Sequence, residues 1–340
     1  MKAYFLFFIA LLVVGCRRSE DRSRVQKNAI WSESIYFRGF QPTTGEKLTT
    51  ERLRSFGETL RRNKIMYAYI FAGPFGKDGY LPGYAFSDTA LNSVKFLREH
   101  YPEIVVLPWI GGVQNRTVYL GDSLWCKNAL ASTERLMRKL EVPGVHVDLE
   151  FILRGDPYLD ETMDLEHDGD LEAYGRNVNE FHRRLRELLP HAFISSVVTA
   201  TSPQTRPWKR KTSMEELKIL INYVDQISFL FYDTQINDQQ RFEEGCYALI
   251  NDIQTLKSFG VDNRTQFLVS IGTFINRREL WKYRNLTLES IPNTLKTIIR
   301  SEASLKAGGP IVDGISIFCD WETEEAEWAE FYDNWVTEVR

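Results

Sequence analysis

The sequence predicts an α/β protein whose mature part is a single (β/α)8 TIM barrel. Three observations carry that prediction. Short apolar runs bounded by turn residues recur eight times, segments of helical periodicity lie between them, and no low-complexity linker interrupts the roughly 310 residues they occupy. Strands alternating with helices imply βαβ units and a parallel sheet, and eight units at this length favour closure over an open, doubly wound sheet.

In chain order, the first segment stands outside the barrel. Met1-Lys2 precedes an apolar run from Ala3 to Val14 that ends in Gly15-Cys16: a charged start, a short hydrophobic stretch and a small residue, as in a secretory signal. The run is shorter than the roughly 20 apolar residues that a membrane-spanning helix needs. Val13-Val14-Gly15-Cys16 resembles the bacterial lipobox, which implies lipidation of Cys16; a plain signal peptide or short anchor is the alternative. Residues 1–15 are therefore expected as a lipoprotein signal peptide, 16–30 as a lipidated, flexible, polar tether, and 31–340 as the barrel. The protein is expected to be exported and held on a bacterial membrane by its lipid.

Strands are expected at Ile35–Phe40, Ile65–Phe75, Ile104–Gly112, Gly144–Phe151, Phe193–Thr199, Gln226–Asp233, Gln266–Phe274 and Gly314–Trp321. Helices are expected at Thr50–Arg62, Ala90–Glu99, Ala129–Lys139, Leu171–Leu189, Ser213–Tyr223, Phe242–Phe259 and Leu288–Leu305, with a last amphipathic stretch at Glu324–Val336. Apolar residues at 43% and aromatic ones at 13% suffice for a large core. A net charge of −4 argues against a nucleic-acid partner, because such domains are usually basic. Trp208-Lys209-Arg210-Lys211, the densest basic run, reads as a solvated loop. With Cys16 assigned to lipid, Cys126, Cys246 and Cys319 are too few and too widely spaced for a disulfide framework, although one bridge is open. No metal-ligand spacing and no phosphate-binding glycine motif occurs, so neither metal nor cofactor is expected.

The chemistry concentrates in Val142-Pro143-Gly144-Val145-His146-Val147-Asp148-Leu149-Glu150. In a strand alternate side chains share a face. Val145, Val147 and Leu149 face the helix layer, and His146, Asp148 and Glu150 face the barrel interior. Inward ionisable groups are costly unless they are paired or hydrogen-bonded. The two carboxylates fall at the C-terminal end of the strand, where barrel active sites sit. Neighbouring negative charges raise one pKa of such a pair, so Glu150 can remain a general acid while Asp148 stays ionised, the arrangement that glycosidic cleavage requires. A structural Asp–Glu pair satisfied by arginine or backbone donors is the alternative.

This strand resembles the Asp-Gly-x-Asp-x-Asp-x-Glu signature of family 18 glycoside hydrolases, the chitinase-like barrels. Gly144, Asp148 and Glu150 match, whereas Pro143 and His146 replace the first two aspartates; bacterial members acting on peptidoglycan or spore cortex are similar in this stretch. The resemblance extends in order along the chain. Lys64–Ala72 resembles the family's second strand, Trp109-Ile110-Gly111-Gly112 its third, and Val198–Pro203 its fifth. Gln226–Asp233 is similar to the Gln-x-x-x-Met-x-Tyr-Asp sixth strand with Leu230 for Met, and Gly314–Phe318 to the eighth, with Phe318 where Trp is usual.

The resemblance implies substrate assistance: the sugar's 2-acetamido oxygen attacks its own anomeric carbon, an exception to the rule of two catalytic carboxylates. By the same resemblance Glu150 protonates the leaving oxygen and then activates water, Asp148 orients the acetamido group, Tyr232 hydrogen-bonds its oxygen, and Asp233 adds to that end of the site. His146 is expected beside Asp148, lowering its pKa when protonated, or simply packing as a neutral ring. His146, Tyr69, Trp109, Phe318 and Trp321 are expected against the sugar; Phe71, Phe75 and Phe274 are further aromatics near strand ends, each as readily core. The acidic stretch Asp156–Glu172 reads as a cleft wall or a solvated loop. The implied partner is an N-acetylglucosamine-containing glycan: chitin, peptidoglycan or an N-glycan core. The replacements at Pro143 and His146 leave a second reading, a catalytically weak or inactive glycan-binding lipoprotein on the same barrel; an unrelated chemistry on this fold is a third.

Overall fold

The computed structural model describes residues 26–151, 171–199, 210–259, 264–273, 284–305 and 309–337. The expected signal peptide and Cys16, most of the Asp156–Glu172 stretch, Ala200–Pro203 and Phe274 lie outside the described residues.

Eight parallel strands close into a barrel in sequence order. They are β1 (Asn28–Ser32), β2 (Ile65–Pro74), β3 (Val105–Val113), β4 (Gly144–Glu150), β5 (Phe193–Thr199), β6 (Gln226–Leu230), β7 (Gln266–Gly272) and β8 (Gly314–Phe318). Around them run α1 (Ile35–Arg38), α2 (Thr50–Arg62), α3 (Asp88–His100), α4 (Ser123–Leu140), α5 (Leu171–Leu188), α6 (Met214–Leu220), α7 (Gln239–Lys257), α8 (Ile291–Ser304) and α9 (Glu325–Phe331). The (β/α)8 expectation holds, and α2 has the predicted limits.

The helices start where the sequence supplies acceptors for their first free N–H groups. Thr49 caps α2 through Arg52 N, Asp122 caps α4 through Leu124 N and Trp125 N, and Ser213 with Glu216 forms a reciprocal capping box on α6. The outward side chains of β4, Val145, Val147 and Leu149, pack into the layer between barrel and helices. A second cluster fills the barrel interior with Trp31, Tyr67, Tyr69, Leu107, Val197, Leu230 and Leu268.

One strand departs from expectation. Ile35–Phe40 is not the first strand; Ile35–Arg38 is a single helical turn closed by Gly39, whose φ of 82° is left-handed and whose N–H donates to Ile35 O. The first strand lies upstream, beginning in the stretch expected as tether, so the barrel starts before residue 31. Asn28 explains how a polar residue can open a buried strand. Its Oδ1 accepts from Ile315 N (3.0 Å) and Trp335 Nε1 (2.9 Å), and its Nδ2 donates to Gln26 Oε1 (2.9 Å) and Lys64 O (3.3 Å). One side chain thereby ties β1 to β8, to the start of β2 and to the last helical turn. Cys126, Cys246 and Cys319 are free and buried, so the bridge left open above is absent among them.

Candidate active site

The site is built on the register between β3 and β4, where Trp109 pairs with His146, Gly111 with Asp148 and Val113 with Glu150. That register depends on glycine. Gly111 has φ +148°, and a Cβ there would lie 1.8 Å from Asp148 O. The missing side chain lets the two backbones approach at the position that carries the carboxylate.

Asp148 and Glu150 lie two residues apart at the C-terminal end of β4, and both are partly exposed. The Trp109 indole Nε1 donates to Asp148 Oδ2 at 3.1 Å. Trp109 is in turn held by Phe71 (centroids 4.5 Å) and meets Phe318 edge-on at 6.3 Å. Phe318 stacks on Tyr232 (5.5 Å, 4°) and takes Trp321 on its edge at 5.6 Å. The structure thus joins Asp148, Trp109, Phe318, Tyr232 and Trp321 in one aromatic-walled group. Such walls suit the C–H faces of a sugar, with a few polar groups to orient it. Phe75 is core, packed against Trp125 at 5.3 Å.

Two expected contact residues lie lower. Tyr69 and His146 are fully buried and stack on each other with centroids 3.7 Å apart, beneath the mouth rather than on its surface. Ser195 Oγ donates to Gln226 Oε1 at 2.8 Å, so it accepts from His146 Nδ1 at 2.8 Å. Burial pushes the His146 pKa well below 6.5. The ring is therefore neutral, with its proton on Nδ1, and the expectation that it lowers the Asp148 pKa by carrying charge is not met. Tyr69 also donates to Gln226, and burial raises its hydroxyl pKa. These groups form the polar floor of the barrel, in which His146 Nε2 meets no partner among the described residues. Trp31 completes that floor, edge-on to His146 at 5.3 Å and to Phe318 at 5.9 Å.

Asp233 is buried beside Tyr232 in a left-handed conformation, φ +52°. A residue that the sequence does not single out explains how it is held. Glu289, just before α8, accepts from Asp233 N (2.7 Å), Thr234 N (3.0 Å) and Thr234 Oγ1 (2.8 Å). Arg284 lies 3.7 Å from Glu289 and donates to Gly272 O and Glu289 O. Burial, opposed by Arg284 and reinforced by Asp233, raises the Glu289 pKa to about 7. No local motif marks Glu289, because its partners lie far away in sequence, just after β6. Among the described residues, no group of three His, Cys, Asp or Glu side chains is placed to hold a metal ion.

The sequence matches no protein-family model and no curated protein, but the barrel resembles many solved structures. A class V chitinase from Pseudomonas fluorescens Pf-5 superposes with a TM-score of 0.58 at 11% identity, covering 91% of this chain and 99% of that one. The two chains thus share the (β/α)8 barrel fold. A Group IV chitinase from Ostrinia furnacalis, solved in complex with allosamidin, gives 0.59 at 11% identity over 92% and 99% of the two chains. The spore cortex-lytic enzyme SleL of Bacillus megaterium QM B1551 gives 0.56 at 10% identity, covering 91% of this chain and 74% of the other. At such identities the likeness is one of fold, and a shared barrel by itself does not assign a reaction.

Proposed function

We propose that this protein is a glycoside hydrolase that cleaves a β-1,4 linkage at N-acetylglucosamine by a substrate-assisted, retaining mechanism. The observation that carries the reading is Asp148, fixed by the Trp109 indole and two residues from Glu150 at the C-terminal end of one strand, where Trp109 adjoins the aromatic group of Phe318, Tyr232 and Trp321. Chitinases and a spore cortex-lytic enzyme sharing the barrel support it.

In this reading Glu150 gives its proton to the glycosidic oxygen as the bond to the anomeric carbon breaks. The acetamido oxygen forms the new bond to that carbon, giving a cyclic oxazolinium ion. Asp148 accepts the acetamido N–H and stabilises the positive charge, and the Tyr232 hydroxyl donates to the acetamido oxygen before it attacks. Glu150, now a carboxylate, takes a proton from water as the water opens the ring with retained configuration. The Trp109 indole, rather than a charged His146, orients Asp148.

We further propose that Cys16 carries a lipid. Lys27 N donates to Asp313 O beneath the N-terminal ends of β1 and β8, opposite the carboxylates. A tether leaving from there would keep the mouth directed away from the membrane. Among the described residues no helix is long and apolar enough to cross a membrane. Cys16→Ser should move the protein out of the membrane fraction; unchanged membrane retention would refute the anchor.

The catalytic reading is tested with fluorogenic di- and tri-N-acetylglucosaminides and a panel of chitin, peptidoglycan sacculi and an N-glycoprotein. Release from at least one is expected. Binding to these polymers without release from any would instead identify an inactive glycan-binding protein.

A further inference from the structure

Behind the end of β4, between the barrel and helices α5 and α6, lies a hollow of about 30 Å3. Its polar lining includes Glu150, Tyr174, Asn179, Arg210 and Glu216. Tyr174, on α5, is the unusual member. Its ring is fixed by Phe151 edge-on at 5.0 Å and by the Arg210 guanidinium 5.5 Å above it, while its buried hydroxyl meets no partner among the described residues. Buried hydroxyls are nearly always hydrogen-bonded, and a polar hollow of this size accommodates an ordered water. The neighbouring ion pair is committed elsewhere: Arg210 Nη1 lies 3.1 Å from Glu216 Oε2, and Glu216 also accepts from Ser213 N.

We infer that Tyr174 is a positioning residue for Glu150, its hydroxyl donating to a water held in the hollow that in turn donates to the Glu150 carboxylate. The charged groups around the hydroxyl are Glu150, Arg210, Asp148 and Glu216, and of these Glu150 acts on it most strongly. Burial and the adjacent carboxylates push the Tyr174 pKa up, so the hydroxyl keeps its proton and remains a donor. The relay favours ionised Glu150, the form that activates water in the second half of the proposed reaction. The inference rests on that reading for its catalytic meaning, but not for its test.

Tyr174→Phe removes the hydroxyl and keeps the ring. The carboxyl carbon of Glu150 is followed by NMR in 13C-glutamate-labelled protein, with the signal assigned by its loss in Glu150→Gln. The titration midpoint is expected to lie roughly 0.5 to 1 pH unit higher in Tyr174→Phe, and the alkaline limb of kcat/KM for a chitotrioside, which reports loss of the Glu150 proton, to move with it. An unmoved midpoint in the folded variant overturns the inference. Because the NMR titration needs no turnover, a wild type that hydrolyses nothing would sink the glycosidase reading while the midpoint still decides this one. Should the variant not fold, a crystal structure of the wild type at a resolution that shows waters decides instead. A water bonded to both Tyr174 Oη and Glu150 supports the relay, and a hollow without one overturns it.

Discussion

Replacing Glu289 by glutamine should change how stability depends on pH, because the wild-type carboxyl titrates differently in the folded and unfolded chains. Glu289 is 3% exposed, and its pKa rises from 4.5 to about 7, chiefly through burial. Between those values the folded protein holds a proton that the unfolded chain has released. Folding takes up a proton there, so this group's contribution to stability falls as pH rises from about 4.5 and levels off above about 7. A tenfold difference in proton affinity is worth roughly 1.4 kcal/mol, so the full change is about 3 kcal/mol, which corresponds to several degrees in Tm. Glutamine does not titrate. The stability difference between Glu289→Gln and wild type should therefore move by about 3 kcal/mol in the variant's favour between pH 4.5 and pH 8. Urea unfolding of both proteins at pH 4.5, 5.5, 6.5 and 8 measures it. Parallel profiles would refute the buried, proton-binding account of Glu289. Hydrolysis gives a second readout: the amide N–H2 of glutamine would oppose Asp233 N where Oε2 now accepts, so kcat should drop even where stability is unimpaired.

Trp109→Phe keeps a ring against Phe71 and Phe318 but deletes the donor to Asp148 Oδ2. A hydrogen bond to a charged group is worth about 1.5–3 kcal/mol, so kcat/KM on a fluorogenic chitobioside should fall roughly 10- to 100-fold with Tm nearly unchanged. Gly111→Ala places a methyl group 1.8 Å from Asp148 O; a loss of at least about 3 kcal/mol is expected, read as a much lower Tm or no soluble protein. Asn28→Ala breaks the hydrogen bonds that close the barrel and should cost about 2–4 kcal/mol in urea unfolding, whereas a residue in a free tether would cost nothing.

The barrel was legible because its eight strands alternate with amphipathic helices, and both periods are written into local sequence. The carboxylate-bearing strand was legible for the same reason: the period of two separates Val145, Val147 and Leu149 from His146, Asp148 and Glu150. The first strand was not. Its opening residue, Asn28, looks like solvated tether, and its burial is offset by partners some three hundred residues away, in β8 and at Trp335. Ile35-Tyr36-Phe37 has a strand's composition, but the left-handed Gly39 turns it into a helix end. Depth was equally hidden. Alternation puts Tyr69 and His146 on the inner face, yet only the barrel's layering shows that they form its floor while Trp109 and Asp148 form its mouth. Glu289 holds the segment just after β6, and Tyr174 lies beside the end of β4, each from another element, and neither carries a motif that a single sequence could reveal.

The central claim, that Glu150 donates the proton while the substrate supplies its own nucleophile, is tested most directly by NMR of the freshly cleaved sugar, comparing wild type with Glu150→Gln. The account predicts that wild type first releases the β-anomer, and that Glu150→Gln lowers kcat by roughly 100- to 10,000-fold while still binding chitooligosaccharide. Release of the α-anomer first, or a Glu150→Gln protein that turns over at the wild-type rate, would contradict it.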